Sequence, residues 1–266
     1  MTAAAPSKRS PLAFFLVVLA LAIPIWAVSR FGWIIVALKV PVTDLMLGFT
    51  PLAAAAILVF RAEGAGGLIG FLKSAFDYRK LMRSRWFATV LLLAPLIYGL
   101  TTTGLWFAGH RGGARTNIET LPLLTAIMFL LAIGEEAGWT GYVLDPLQKR
   151  FGALGASLIV AIPWWVGHLP SIVEIGGSLS DIAWWFPGAI ALRVLMTWLY
   201  NNTGGSLMSV VLFHTLLNVG RSVSYPTIGT HYSPIYQATG YAICFVLSAI
   251  VVVVWGPKTL TRPPSS

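Results

Sequence analysis

Cysteine is nearly absent from this chain. Cys244 stands alone inside an apolar run, which excludes an internal disulfide and any cysteine-built zinc centre. A metal here would need His, Glu or Asp. Charge is scarce too: 10% of the 266 residues are Asp, Glu, Lys or Arg, and only nine are acidic. An ordinary soluble domain carries about 25% charged residues. The longest polar-rich stretch, Arg61 to Arg85, is too short to be a soluble domain. The apolar runs are continuous rather than alternating, which argues against a β-barrel. There is no internal repeat, which weakens a transporter reading. No Ser/Lys or Ser/His motif with a nucleophile elbow is present either.

What the chain has is hydrophobic sequence, at 57% of its residues and a mean hydropathy of +0.79. Eight runs of spanning length, near 12–28, 43–60, 87–107, 121–139, 153–169, 182–200, 205–220 and 237–255, predict an all-α, polytopic transmembrane helical bundle in a lipid bilayer. Lys8-Arg9 before Pro11–Val28 imitates a signal peptide. The stretch is long for one, and more spans follow, so it reads as an uncleaved first span. The net charge of +9 does not signal nucleic acid, because the basic residues sit in short loops. With the N-terminus in the cytoplasm, twelve of the eighteen fall on that side: Lys8, Arg9, Arg61, Lys73, Arg79, Lys80, Arg83, Arg85, Lys149, Arg150, Lys258 and Arg262. Arg30, Lys39, Arg111, Arg115 and Arg221 fall opposite, and Arg193 lies within a span. This bias places both termini in the cytoplasm, as an even span number requires. The reading is a multi-pass protein of a cell membrane, the plasma membrane for a chain of prokaryotic type.

Between spans two and three, Gly66–Arg85 places Leu68, Phe71, Leu72, Ala75, Phe76 and Leu81 at near-helical spacing with basic residues among them. That predicts an amphipathic helix on the cytoplasmic face. Residues 1–10 and the chain from Pro257 onward read as disordered ends. The chain divides into 1–84 (two spans and the amphipathic segment), 85–222 (the core) and 223–266 (a final span and tail).

Three polar constellations sit at membrane depth, where a charge costs at least about 2.5–3.5 kcal/mol. Glu135-Glu136 closes the fourth span. Neighbouring helical residues point about 100° apart, so the two need not share a role. His168 ends the fifth span beside Trp164 and Trp165, and an interfacial aromatic belt would explain it as well. His214 and Asn218, at i and i+4 in the seventh span, share one helix face. They serve equally as interhelical polar contacts or as donors to one point. Together, carboxylate and imidazole can activate water, and a His/Asn pair can stabilise an oxyanion. This is the inventory of a hydrolase with water as nucleophile.

The pattern resembles the CPBP family of intramembrane proteases, which includes the type II CAAX prenyl endopeptidases and the bacteriocin-processing and immunity proteins. The family's first motif, Glu-Glu-x-x-x-Arg, is matched by Glu135-Glu136-Ala137-Gly138-Trp139-Thr140. Its aromatic four residues before a His is matched by Trp164 to His168, with Trp for the usual Phe. Its His-x-x-x-Asn is matched by His214 to Asn218. The resemblance covers about residues 85–222. It implies a catalytic set of Glu135, Glu136, His168, His214 and Asn218. Glu135 would be the base that activates water, helped by His168, and His214 with Asn218 would stabilise the oxyanion. It implies a membrane-associated or prenylated peptide substrate, and allows a zinc ion on Glu135, His168 and His214.

One position departs from the family. Thr140 stands where Arg is usual, and offers Glu136 only a neutral hydrogen bond. Arg193, the one in-span basic residue, is the candidate substitute. Thr140 also keeps open a non-catalytic scaffold or immunity-type protein on the same fold. A proton-coupled transporter using the two glutamates is a further alternative. The span arithmetic raises a difficulty as well. It sets Glu135 near the cytoplasmic end of its helix and His168 near the far end of the next.

Overall fold

The computed structural model describes residues 9–29, 34–35, 40–113, 118–228 and 231–262. Lys8, Arg30, Lys39, Arg115 and the outermost parts of both ends lie outside the described residues. The architecture is helical apart from two hairpins of two-residue strands, Ile34–Ile35 with Val40–Pro41 and Thr227–Ile228 with His231–Tyr232. The helices are α1 (Pro11–Ser29), α2 (Val42–Leu47), α3 (Thr50–Ala75), α4 (Arg79–Met82), α5 (Phe87–Phe107), α6 (Leu121–Trp139), α7 (Leu144–Gly167), α8 (Leu169–Glu174), α9 (Leu179–Asn202), α10 (Leu207–Ser224) and α11 (Pro234–Trp255). Among the described residues seven segments, against the eight expected, are long and apolar enough to cross a membrane, and α1, apolar over Pro11–Ala27, is a shorter apolar helix outside that count. The chain is a polytopic helical membrane protein.

Two glycines divide helices that the apolar runs suggest are continuous. Gly64 (φ 70°) bends α3, and Gly152 (φ 72°) bends α7. Both sit in the left-handed region that only glycine enters cheaply. Beyond Gly64 the expected amphipathic segment is helical. Its apolar residues are divided, however: Phe71, Ala75 and Leu81 are buried, while Ile69, Leu72 and Phe76 are exposed. Past Gly152, the first free N–H groups of the new helical segment need acceptors. The end of the chain supplies them: Ala153 N–H donates to Lys258 O (2.8 Å) and Leu154 N–H to Pro257 O (2.9 Å). Asn201 and Asn202 side-chain amides donate to Thr259 O and Leu260 O, and Leu260 is fully buried. The segment from Pro257 to Arg262 is therefore docked, against the disorder expected of it.

Four helix contacts position the polar centre. α11 lies along α9, α10 lies along α5 and α6, and α3 lies along α6. The last of these uses small residues. A Cβ at Gly138 would stand 2.4 Å from Pro51 Cβ, and one at Gly134 would stand 2.6 Å from Gly48 O. Gly134 and Gly138 are i and i+4, so one glycine stripe lets two helices meet backbone to backbone. That stripe shares the last two turns of α6 with Glu135 and Glu136. Gly138→Leu should overpack this contact by about 1–3 kcal/mol or more, lowering the thermal unfolding temperature in detergent. An unchanged transition would show that the α3–α6 approach is not tight.

Candidate active site

Glu135 and Glu136 occupy adjacent positions and opposite environments. Glu136 is fully buried and saturated. Arg193 grips it with two bonds, Nη1 to Oε2 at 2.9 Å and Nη2 to Oε1 at 2.8 Å. Thr140 Oγ donates to Oε2 at 2.6 Å, and His214 Nδ1 lies 2.9 Å from Oε1. The Arg expected one turn along α6 is thus replaced by one from α9, and Thr140 adds a fourth bond. An isolated carboxylate here would be prohibitively costly; paired and fully hydrogen-bonded, it is tolerated.

Glu135 faces the other way, into a cavity of about 600 Å³ lined by α1, α2, α5–α11 and the start of α3. His168, His214 and Asn218 line the same cavity, whereas Glu136 and Arg193 do not. Of the expected site residues, four are therefore brought to one chamber and one stands behind its wall. Glu135 is held by the Trp164 indole, Nε1–H to Oε2 at 2.5 Å. A Phe at this position has no such donor. The Trp164 ring carries the Arg193 guanidinium 4.2 Å from its centroid. It also meets His168 at 5.3 Å and His214 at 5.8 Å, edge to face. The distance that span arithmetic sets between Glu135 and His168 is bridged by this one indole, a helical turn before His168 on α7.

The partners fix the histidine tautomers. His214 Nδ1 faces a carboxylate, so it carries the proton, and Nε2 has no partner among the described residues. His168 Nδ1 faces the Trp164 carbonyl at 2.8 Å, with the same consequence. A neutral His168 therefore offers Nε2 as an acceptor for a water proton. His214 stabilises an anion through Nε2 only as the imidazolium. Asn218 offers an N–H donor in either state. The two imidazoles with one nitrogen oriented by an acceptor match the outer-shell pattern of metal-binding histidines. Even so, among the described residues no group of three or more His, Cys, Asp or Glu side chains stands close enough together to hold a metal ion. Glu135, His168 and His214 share a cavity without converging on one point, because each is tethered by its own partner on the wall. These three side chains are lining residues of one cavity, and the roles they play as proton carriers and donors need no further group.

Two cavity residues were not expected. Asp44, in the first turn of α2, lines the chamber alongside His168 and Ser171. The available signal was its rarity, as one of nine acidic residues at the edge of an apolar run. Arg221 was counted as a loop charge, but α10 continues to Ser224 and brings it onto the cavity wall. The Thr43 hydroxyl bonds the Glu174 carboxylate, joining α2 to α8 beside these residues.

With this geometry in hand, comparison with known proteins is informative. Residues 117–220 match the family described as type II CAAX prenyl endopeptidase Rce1-like. The chain is also similar to CAAX prenyl protease 2 of Methanococcus maripaludis, at 25% identity over 188 residues, which cover 65% of this chain and 69% of that protein. The matched region contains every residue of the three motifs.

Removing Arg193 should be the most damaging single change at the site. Arg193→Ala leaves Glu136 buried and deprived of its cation, a loss of about 3–5 kcal/mol. Thr140→Val removes one neutral donor, about 1 kcal/mol. Thermal unfolding in detergent should rank Arg193→Ala far below Thr140→Val. Equal transitions would refute the anchoring role of the ion pair.

Proposed function

The comparisons support the CPBP family for this chain, and from that premise we propose that it is an intramembrane endopeptidase. It hydrolyses a peptide bond of a membrane-associated or prenylated substrate with water as nucleophile. The observation that carries this reading is the separation of the two glutamates. Glu135 stands in a cavity with His168, His214 and Asn218, while Glu136 is sequestered with Arg193. A scaffold would gain nothing from a carboxylate exposed to a chamber of this size.

In the proposed reaction, Glu135 accepts a proton from water as the oxygen attacks the scissile carbonyl carbon. His168 Nε2 accepts a hydrogen bond from the same water and orients it. The carbonyl electrons move to oxygen, and the resulting oxyanion is met by the Asn218 amide, with His214 contributing as imidazolium. Collapse of the tetrahedral species breaks the C–N bond, and Glu135 returns the proton to the leaving amine. The Trp164 indole holds the carboxylate in place during both transfers. Charge bias in the loops supports entry of the substrate from the cytoplasmic side, the side towards which α6 ends.

The test is cleavage of a farnesylated peptide, ending in the modified Cys and three further residues, by purified protein in detergent with mass-spectrometric detection. Glu135→Gln should abolish cleavage while leaving the unfolding transition close to that of the unaltered protein, since Glu135 has one protein partner. Trp164→Phe should retain the ring contacts and lower kcat by about tenfold or more through loss of one charge-assisted hydrogen bond. Full activity in Glu135→Gln would end the proteolytic reading.

A further inference from the structure

The segment after the bend at Gly64 carries a surface that the bundle does not use. In an α-helix successive side chains turn by about 100°, which sorts residues 66–76 into three rows. Leu68, Phe71 and Ala75 form the first, and Phe71 and Ala75 are buried against the bundle. Ile69, Leu72 and Phe76 form the second, about 100° round from it, and they stand 52%, 38% and 55% exposed. Gly66, Gly70 and Ser74 form the third, which has no apolar side chain. Lys73 lies between the second and third rows, one turn from Ile69. Beyond α3, Tyr78 and Met82 extend the exposed surface, while Leu81 turns inward. Arg79, Lys80, Arg83 and Arg85 are exposed around them.

The charge on this surface is almost of one sign. Residues 66–85 hold five cations and one acid, Asp77, whose carboxylate accepts the Arg79 backbone N–H. Among the described residues the ion pairs are those of Glu136, and none of the five cations is in one. The apolar row follows, across the bend, the spanning part of α3, whose Ile57 and Phe60 are also exposed. The edge of the bilayer therefore falls at this segment. An apolar row between a buried face and a glycine–serine face, edged by long basic side chains, fits the boundary of acyl chains and headgroups. The basic stems lie along apolar surface and carry their charge out to the level of the phosphates. An acidic protein would match the cations but sit where the bilayer already covers the apolar row. The segment is also held in position. The Arg9 guanidinium lies 5.8 Å from the Phe71 ring centroid and donates to Gly141 O (2.6 Å), just past the end of α6.

We propose that residues 66–85 are a binding surface for anionic phospholipid, with the exposed apolar row among the acyl chains and the five cations on the phosphates. The loop charges assign this end of the bundle to the cytoplasm, and the cytoplasmic leaflet is the anionic one. The surface selects by headgroup charge, because a zwitterionic headgroup brings the cations a phosphate together with a competing ammonium. It lies outside the cavity, and its lipid preference is independent of peptide cleavage.

The experiment reads which lipid touches position 76. A photoreactive side chain is introduced as Phe76→benzoylphenylalanine. The protein is irradiated in nanodiscs of equal phosphatidylglycerol and phosphatidylcholine, and its lipid adducts are counted by mass spectrometry. Phosphatidylglycerol adducts should exceed phosphatidylcholine adducts about fivefold or more, the gain from one basic residue near an anionic surface. The same probe at Leu96, exposed in the middle of α5, should report a ratio of about one. Lys73→Gln, Arg79→Gln, Lys80→Gln, Arg83→Gln and Arg85→Gln, made together, should bring the ratio at position 76 to about one. The unfolding transition should stay close to that of the unaltered protein, since all five side chains are exposed. Salt at about 1 M should remove the excess without any of these changes. Equal labelling by the two lipids at position 76 overturns the proposal. So does an excess that survives in the Gln variant or, where that variant does not fold, survives in high salt. Absence of lipid adducts at position 76 overturns it too, because the side chain then faces water.

Discussion

The bidentate pair between Arg193 and Glu136 is the interaction on which the rest of the site depends. A carboxylate and a guanidinium in an apolar bundle each carry a desolvation penalty of several kcal/mol. The penalty is offset only if the geometry is good and the remaining lone pairs are filled. Here they are filled by Thr140 from the same helix and His214 from another. The pair therefore fixes α6, α9 and α10 in one relative position, because any shift exposes an unsatisfied charge. Glu136 held on one side of α6 sends Glu135, about 100° around the helix, to the other, where the cavity is. The site's chemistry thus starts from a residue that does not face it.

The origin of that arginine matters. An Arg at the position of Thr140 would lie one turn from Glu136 on the same helix, and a local i, i+4 pair holds a rotamer without holding a neighbouring helix. Arg193 comes from α9, so the same charges here also act as an interhelical clasp. Arg193 then continues over the face of Trp164, whose indole N–H holds Glu135. One continuous chain of contacts runs from the sequestered glutamate to the cavity-facing one through a cation and an aromatic ring. Trp in place of Phe is what completes it.

Much of the fold was legible in the sequence, because spanning helices need continuous apolar runs of about 20 residues and the runs are there. The motifs were legible too, since i, i+4 spacing on a helix is a statement about a shared face. Arg193 was legible by elimination as the one basic residue inside a span. The bends at Gly64 and Gly152 were not, because a glycine inside an apolar run signals helix tolerance as well as a left-handed turn. Nor was the docking of Pro257–Arg262, which is made through backbone carbonyls that any sequence possesses. The zinc set was a reading of donor types alone. Residue identity says which atoms can bind, while here neighbours on the wall decide where those atoms point. Asp44 and Arg221 were passed over for a related reason. They lie at helix ends in the sequence, and only tertiary packing turns those ends into the cavity.

A polar chamber inside a membrane protein is costly to keep, and the way this one is kept bears on what it does. Glu135, His168 and His214 are each tethered at one atom: a carboxylate oxygen to an indole, one imidazole nitrogen to a carbonyl, another to a carboxylate. Each has a second atom that no described residue satisfies. Full satisfaction would give a stable and inert polar core; no tethering would give mobile groups that cannot be aimed. Single tethering fixes direction and leaves capacity, as preorganised catalysis requires. Glu136, with every lone pair engaged, is the contrasting case a few ångströms away. The two glutamates show the same side chain used once as a structural anchor and once, in the proposed reaction, as a reagent, the difference being set by the number of donors the neighbours supply.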